Sequence, residues 1–288
     1  MNFIDTFFNT HKPRTITIEG EERQYVVGGK GKTAFLIFPG SGEDALACYD
    51  LIDAFEKDYK AIAVNYAGFH SVHSFFNYVN AILRQERVGK VILYGLSIGG
   101  FVAQHYVRRF GDKVDKLIIS HSGSMRSKTI IRNVVIPAKI LSLFLPLIPQ
   151  SIVTRLFQVL SGRAQSNNKN IIKLYEQYSS EDNLARRKSF AEKTSFSMAD
   201  KKYLHSIYDL GMDMKNLESK FTSKDLLKWR GTILIMRTDN DHLAKDDGLF
   251  KEYYPKAKVT IFKNTGHLTP FIQTEKIIQS IEDFIQTR

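Results

Sequence analysis

Six short apolar runs with helix-like segments between them most constrain how this chain of 288 residues can fold. Each run is rich in Ile, Val and Phe and lacks polar alternation, which is typical of strands buried on both faces. Alternation of such strands with helices predicts an α/β fold with a mostly parallel sheet and right-handed crossovers. A hairpin at residues 14–29 is predicted at the N-terminal edge of the sheet. The six runs are residues 34–38, 61–66, 90–95, 116–123, 232–237 and 258–262.

Residues 125–215 interrupt this alternation, because they contain no convincing strand. We predict a helical insertion there, on the C-terminal edge of the sheet, which leaves residues 1–124 and 216–288 as the core domain. The first part of the insertion is strongly apolar, but three prolines and Lys139 within it argue against a membrane span. Two interpretations stay open: this part packs against neighbouring helices, or it forms an apolar lid over a pocket.

A serine between glycines, in the sequence GLSIGG, stands where a buried strand turns into a helix. At such a turn the side chain leaves the sheet at its carboxyl edge, and the strained backbone requires small neighbours two positions away. Gly95 and Gly99 meet that requirement around Ser97. We therefore predict that Ser97 is a nucleophile. A helix-capping serine in a glycine-rich turn is the alternative.

A serine hydroxyl needs a base, and histidine titrates in the right range to accept and return its proton. Among eight histidines, His267 lies on a glycine-marked loop after the last strand, at the edge where Ser97 is expected. An acid should orient that histidine. Asp241 follows the preceding strand at a suitable distance, and Asp239 is the alternative, because it lies nearer the strand end and could cap the turn.

Two backbone N–H groups are candidates to stabilise a developing oxyanion. The first apolar run ends in Pro-Gly-Ser-Gly, whose small residues let the backbone approach a substrate closely. The N–H of Ser41 in this turn and that of Ile98 at the start of the following helix form the predicted pair. The alternative is that these four residues form a turn with a purely structural role.

These residues resemble the α/β-hydrolase superfamily in their order along the chain, Ser97, Asp241, His267, and in the segments GLSIGG, TDNDHL and NTGHLTP. The resemblance covers residues 30–124 and 215–288, and the insertion corresponds to the superfamily's variable cap. A weaker similarity is to maspardin, a member often regarded as lacking a full triad, in the segments FPGSGEDA, GLSIGGFVAQ and the one ending in KEYYPKAKVTIF. Pro39 stands where many members carry histidine, which changes one wall of the pocket.

The resemblance implies a serine hydrolase that cleaves an ester, thioester or amide through an acyl-enzyme, without a metal or organic cofactor. The apolar insertion suggests a small-molecule ester with an acyl chain as substrate. Two other classes stay open: a catalytically silent binding protein with the same fold, and a lyase or acyltransferase that uses the same site. Serine at the turn argues against dehalogenase and epoxide hydrolase chemistry, for which the superfamily uses aspartate.

The formal charge of +11 favours encounters with anionic partners. No RNP, zinc-finger or P-loop pattern occurs, so we expect no nucleic-acid partner. The remaining expectations are transient contact with an anionic membrane surface, and phosphate-bearing substrates such as lysophospholipids. The N-terminal residues lack the pattern of a secretory signal, which predicts a cytoplasmic location.

Overall fold

An eight-stranded sheet forms the centre of the computed structural model, in the order β1-β2-β4-β3-β5-β6-β7-β8. The structure describes residues 2–153, 169–193, 201–222, 224–241 and 248–287. The strands are β1 (Arg14–Ile18), β2 (Glu21–Gly28), β3 (Thr33–Phe38), β4 (Lys60–Val64), β5 (Lys90–Leu96), β6 (Val114–Ser120), β7 (Thr232–Thr238) and β8 (Lys258–Phe262).

Strand pairing confirms the predicted architecture. β1 and β2 form the expected antiparallel hairpin, and β2 also pairs antiparallel with β4. The strands from β3 to β8 are all parallel to their neighbours. The central strand β5, between β3 and β6, is buried from its second residue onward, as its unbroken apolar run predicts. Its carboxyl end therefore opens at the middle of one sheet edge.

Helices cover both faces of the sheet, and each face has its own apolar core. The helix Val72–Gln85 shows how the sequence specifies one of them: Ser71 accepts the N–H of Ser74 as an N-cap, and Phe75, Val79 and Ile82 form a buried stripe at helical spacing. The other helices packed on the sheet are Phe3–Thr10, Tyr49–Phe55, Ile98–Phe110, Leu249–Tyr253 and Thr274–Gln286.

The insertion between β6 and β7 is helical in all its described residues with regular structure. Its elements are one helical run at Lys128–Leu147, called the apolar helix below, and the helices Lys169–Tyr178, Glu181–Lys193 and Lys201–Glu218. The last of these, the long insertion helix, ends three residues beyond the predicted boundary at 215. Residues 154–168 and 194–200 of the predicted insertion lie outside the described part of the chain.

Pro137 lies within the apolar helix without interrupting it, although a proline normally kinks or breaks a helix interior. A π-helical turn at Ile131–Val135 comes directly before it, and the N–H of Ile136 bonds to the carbonyl of Ile131. This wider turn changes the local hydrogen-bond pattern where the proline supplies no N–H. The helix then continues through Phe144 into a 3₁₀ turn that contains Pro146.

Three side chains of the long insertion helix accept backbone N–H groups from loops of the core. The hydroxyl of Tyr203 accepts the N–H of Gly42 at 2.7 Å, and the hydroxyl of Ser206 accepts that of Gly68 at 2.8 Å. Asp213 accepts the N–H of Val72 at 2.9 Å. The insertion is thus joined to the core by polar contacts from Tyr203 to Asp213 of its final helix.

Candidate active site

Ser97 lies at the sharp turn between β5 and the helix Ile98–Phe110. Its backbone has φ 51° and ψ −113°, a strained conformation for a residue with a Cβ atom. A Cβ at Gly95 would lie 2.3 Å from the carbonyl oxygen of Gly99, and one at Gly99 would lie 2.0 Å from that of Phe38. Glycine is therefore required on both sides of the serine, for the steric reason that the sequence indicated.

The structure brings Ser97, His267 and Asp241 together in one hydrogen-bonded chain. His267 Nε2 lies 3.0 Å from Ser97 Oγ, and His267 Nδ1 lies 2.9 Å from Asp241 Oδ2. The Asp241 side chain is fully buried, whereas that of His267 is 27% exposed. The two loops that carry them follow β7 and β8, so three carboxyl ends of a parallel sheet contribute one side chain each.

Asp239, the alternative acid, lies elsewhere. Its carboxylate accepts the N–H of Asn264 at 3.1 Å and lies 3.6 Å from the ammonium group of Lys263. The hydrogen bond from Asn264, followed by the charge of Lys263, lowers the pKa of Asp239. Asp239 thus joins the loop after β7 to the loop that follows β8, and its described contacts do not include His267.

The loop after β3 borders the site and is held on both sides of Ser41. Gly40 donates its N–H to Glu43 Oε2 at 2.9 Å, while Gly42 donates to the Tyr203 hydroxyl. Ser41 and Ile98 both line the cavity that contains Ser97. Ile98 begins its helix, where backbone N–H groups have no partner within the helix. The two residues predicted to stabilise an oxyanion therefore lie at the wall of the cavity.

His121 directly follows β6 and lies next to the site. It is fully buried, with Nε2 2.9 Å from Thr238 Oγ1 and Nδ1 3.0 Å from Ser120 Oγ. Burial lowers its pKa to about 3, so the ring stays neutral under ordinary conditions. Its ring centroid lies 6.4 Å from that of His267, and it forms part of the buried support beneath the site.

Glu43 and Tyr203 hold the loop at Ser41 but were missed by sequence reasoning. Tyr203 is 161 residues from its partner Gly42, and no local pattern reveals such a contact. Glu43 follows the Pro-Gly-Ser-Gly turn directly, and its proximity to this turn was the available signal. Burial raises the pKa of Glu43 to about 7, against the opposing effect of the Gly40 N–H.

We expect Glu43 to make stability fall as pH rises between about 4.5 and about 7. In this range the folded protein holds the Glu43 proton more tightly than the unfolded chain does, so unfolding becomes easier as the proton is lost. Glu43→Gln should flatten the profile, with a difference of about 1–3 kcal/mol across the range. Urea unfolding at several pH values measures this, with the exposed Glu22→Gln as control. Parallel profiles for wild type and Glu43→Gln would contradict the assignment.

A cavity of about 570 Å³ lies over Ser97, between the sheet edge and the insertion. Ser97, His267 and the turn at Gly40 form its polar end. The rest of its wall is mostly apolar and comes from the apolar helix, the long insertion helix and nearby residues of the core. The main apolar residues are Leu96, Phe101, Met125, Ile130, Val134, Val135, Ala138, Leu141, Leu145, Leu204, Ile207, Met212 and Phe271. In the described part of the chain, no three His, Cys, Asp or Glu side chains are grouped as metal ligands.

Comparison with known proteins identifies the same fold. The family model described as alpha/beta hydrolase fold matches residues 33–273. No curated protein matches the chain, so the narrower likeness to maspardin has no support.

Solved structures similar to this one include a mutant of the meta-cleavage product hydrolase CumD, at 18% identity and TM-score 0.64, covering 96% of this chain and 98% of that one. E-2-(acetamidomethylene)succinate hydrolase is 13% identical, with TM-score 0.67, and the match covers 96% of this chain and 100% of that one. Carboxylesterase CesB from Bacillus subtilis is 14% identical, with TM-score 0.58, and the match covers 99% of this chain and 96% of that one. At these identities the likeness shows a shared fold.

Proposed function

The chain belongs to the α/β-hydrolase family, and from that premise we propose that it is a serine hydrolase that cleaves carboxylic esters of apolar acyl groups. The observation that carries the proposal is the continuous hydrogen-bonded chain from Ser97 through His267 to Asp241 at the polar end of an apolar cavity. Each member has the chemistry that its position requires: a hydroxyl, an imidazole and a buried carboxylate.

Ser97 is proposed as the nucleophile and His267 as its base. As Ser97 Oγ attacks the substrate carbonyl, its proton passes to His267 Nε2, 3.0 Å away. The tetrahedral intermediate collapses to an acyl-enzyme, and His267 gives the proton to the leaving alcohol. A water molecule, deprotonated by His267, then attacks the acyl-enzyme and releases the acid and free Ser97.

Asp241 is proposed to hold His267 in the productive tautomer. With Nδ1 hydrogen-bonded to the carboxylate, Nε2 is left free to accept the serine proton. The fully buried carboxylate also stabilises the imidazolium that forms, because its charge is poorly screened by water.

The N–H groups of Ser41 and Ile98 are proposed to bind the oxyanion of the tetrahedral intermediate. Both residues line the cavity beside Ser97, and the bonds from Gly40 and Gly42 fix the loop on either side of Ser41. Donors held in place before the reaction stabilise developing charge without reorganisation, and each contributes roughly a hundredfold or more to turnover.

The proposal is tested with a serine-directed fluorophosphonate probe. Wild-type protein should be labelled, and Ser97→Ala should not. Ser122→Ala is the matched control, because Ser122 also lines the cavity and its hydroxyl has no hydrogen-bond partner in the described structure. Absence of labelling in wild type would favour a silent binding protein. Labelling with no acid released from an ester panel would favour a lyase or acyltransferase.

The apolar cavity is proposed to hold the acyl chain, and filling it should shorten the preferred substrate. Ala138 of the apolar helix lines the cavity, so Ala138→Trp should reduce kcat/KM for long-chain esters tenfold or more while sparing short ones. Ile140→Trp is the control, since Ile140 on the same helix is exposed. Assays use soluble esters of graded length, with and without a phosphate. Equal losses on short and long esters would contradict this placement of the acyl chain.

A further inference from the structure

The apolar helix is apolar on two opposite sides. Its cavity side carries Ala138, Leu141 and Leu145 at helical spacing. Among the described residues it is also the one helix long and apolar enough, by length and composition, to cross a membrane, yet only 11% of that apolar window is buried. A helix that is apolar all round normally lies within a core or in lipid. Here the cavity accounts for one side only.

A stripe on the other side of this helix is exposed, and we call it the outer stripe. Its members follow the three- and four-residue spacing of one helix face. Leu143 is 67% exposed, Phe144 56% and Leu147 79%, which are large values for side chains of this size. The outer stripe consists of Ile136, Ile140, Leu143, Phe144 and Leu147. Exposed apolar patches of this kind mark sites of contact with a partner or a membrane.

The segment of the chain that carries the outer stripe is strongly basic in sequence. From residue 116 to residue 175 the sequence contains no aspartate or glutamate, so this segment supplies nine of the eleven net positive charges of the chain. On the apolar helix itself Lys128, Arg132 and Lys139 are exposed. The nine basic residues are Lys116, Arg126, Lys128, Arg132, Lys139, Arg155, Arg163, Lys169 and Lys173.

We propose that the outer stripe docks the protein on an anionic lipid bilayer. Apolar side chains on one helix face would enter the boundary between headgroups and acyl chains, and the exposed cations Lys128, Arg132 and Lys139 of the same helix would meet the lipid phosphates and carboxylates. Each lysine or arginine near such a surface strengthens binding roughly fivefold. The charge of the segment therefore selects an anionic bilayer over a second copy of this chain, whose same face carries the same positive charge.

The helix lies on the bilayer and does not cross it. Its inner side forms the wall of the cavity over Ser97, and a helix that spans a bilayer would have to leave that position. The exposed Lys139 lies in the middle of the helix, where a spanning arrangement would place its charge near the centre of the bilayer. Docking along the surface keeps Lys139 at the headgroups and brings the cavity wall next to lipid.

Vesicle flotation tests the proposal with the Ser97→Ala protein, so that the result does not depend on hydrolysis. Vesicles of phosphatidylcholine are compared with vesicles that also contain phosphatidylserine. We expect binding to the second kind, weakened by salt. Leu143→Ser and Phe144→Ser should each reduce binding roughly tenfold. Lys139→Glu should reduce it roughly fivefold or more, on the anionic vesicles only.

Leu227→Ser is the matched control, because Leu227 is 75% exposed but lies outside the insertion. It should bind as the parent does, and unchanged thermal unfolding should show that all variants are folded. Three results would overturn the proposal. The first is that the parent does not bind vesicles at all, and the second is that Leu143→Ser and Phe144→Ser bind as tightly as the parent. The third is that the bound protein resists extraction with alkaline carbonate, which indicates a spanning helix. A dimer that these two substitutions dissociate, without vesicle binding by the parent, would assign the stripe to a second copy.

Discussion

Replacing Ser97 by alanine is expected to lower kcat for an ester substrate by a factor of roughly a million, and His267→Ala should have a similar effect. The two side chains act as one unit, since the hydroxyl 3.0 Å from Nε2 is a useful nucleophile only when the imidazole takes its proton. The double variant Ser97→Ala/His267→Ala should therefore be no slower than either single variant. Fold should be preserved, because alanine retains the Cβ that this backbone already accommodates.

The measurement is steady-state ester hydrolysis with active-site concentration determined on the wild type. His70→Ala is the control, because His70 is exposed and pairs with Asp209 at the surface of the insertion. Its activity should stay near that of wild type. Losses that multiply in the double variant would show that the two side chains act independently and would contradict the proposed proton transfer.

The second large effect is expected from Asp241→Asn, which should lower kcat about ten-thousand-fold near neutral pH. The amide would keep the packing, but its NH₂ group favours the tautomer with the proton on Nε2, which cannot accept the serine proton. Because the carboxylate is fully buried and lies 2.9 Å from Nδ1, water cannot replace its charge. KM should change little, since Asp241 does not line the cavity.

Asp239→Asn is the matched control for this prediction. Asp239 lies two residues away and contacts the loop that follows β8 through Asn264 and Lys263. Its replacement should leave kcat within a few-fold of wild type, with at most a modest loss of stability. If Asp239→Asn proved as damaging as Asp241→Asn, the acid would have to be reassigned.

The core fold could be predicted from the sequence because its signals are local. Unbroken apolar runs identified the parallel strands, and the glycines around Ser97 identified the turn at the end of β5. Parallel strands present their carboxyl ends at one edge, so the loops with Asp241 and His267 were expected near Ser97. In the structure the three side chains are joined by hydrogen bonds at that edge, as this argument predicts.

Features that depend on contacts distant in sequence could not be predicted. Tyr203 supports the loop at Gly42 from 161 residues further along the chain, and the neutral state of His121 follows from its burial. Pro137 suggested a break in the apolar helix, because a proline normally kinks or breaks a helix interior, but here a π-helical turn precedes it and the helix continues. Periodicity also left open whether the apolar helix packs or covers a pocket. In the structure one side covers the cavity and the other is exposed.

The bonds from Tyr203, Ser206 and Asp213 to the core limit how the insertion can be exchanged. A chimaera that carried the corresponding segment of a relative would leave the N–H groups of Gly42 and Gly68 without their acceptors, unless it kept the hydroxyl groups of Tyr203 and Ser206. Swapping the segment to alter substrate preference would then also loosen the loop next to the nucleophile. Engineering of the substrate pocket is therefore best confined to the apolar helix, and the long insertion helix should be left unchanged.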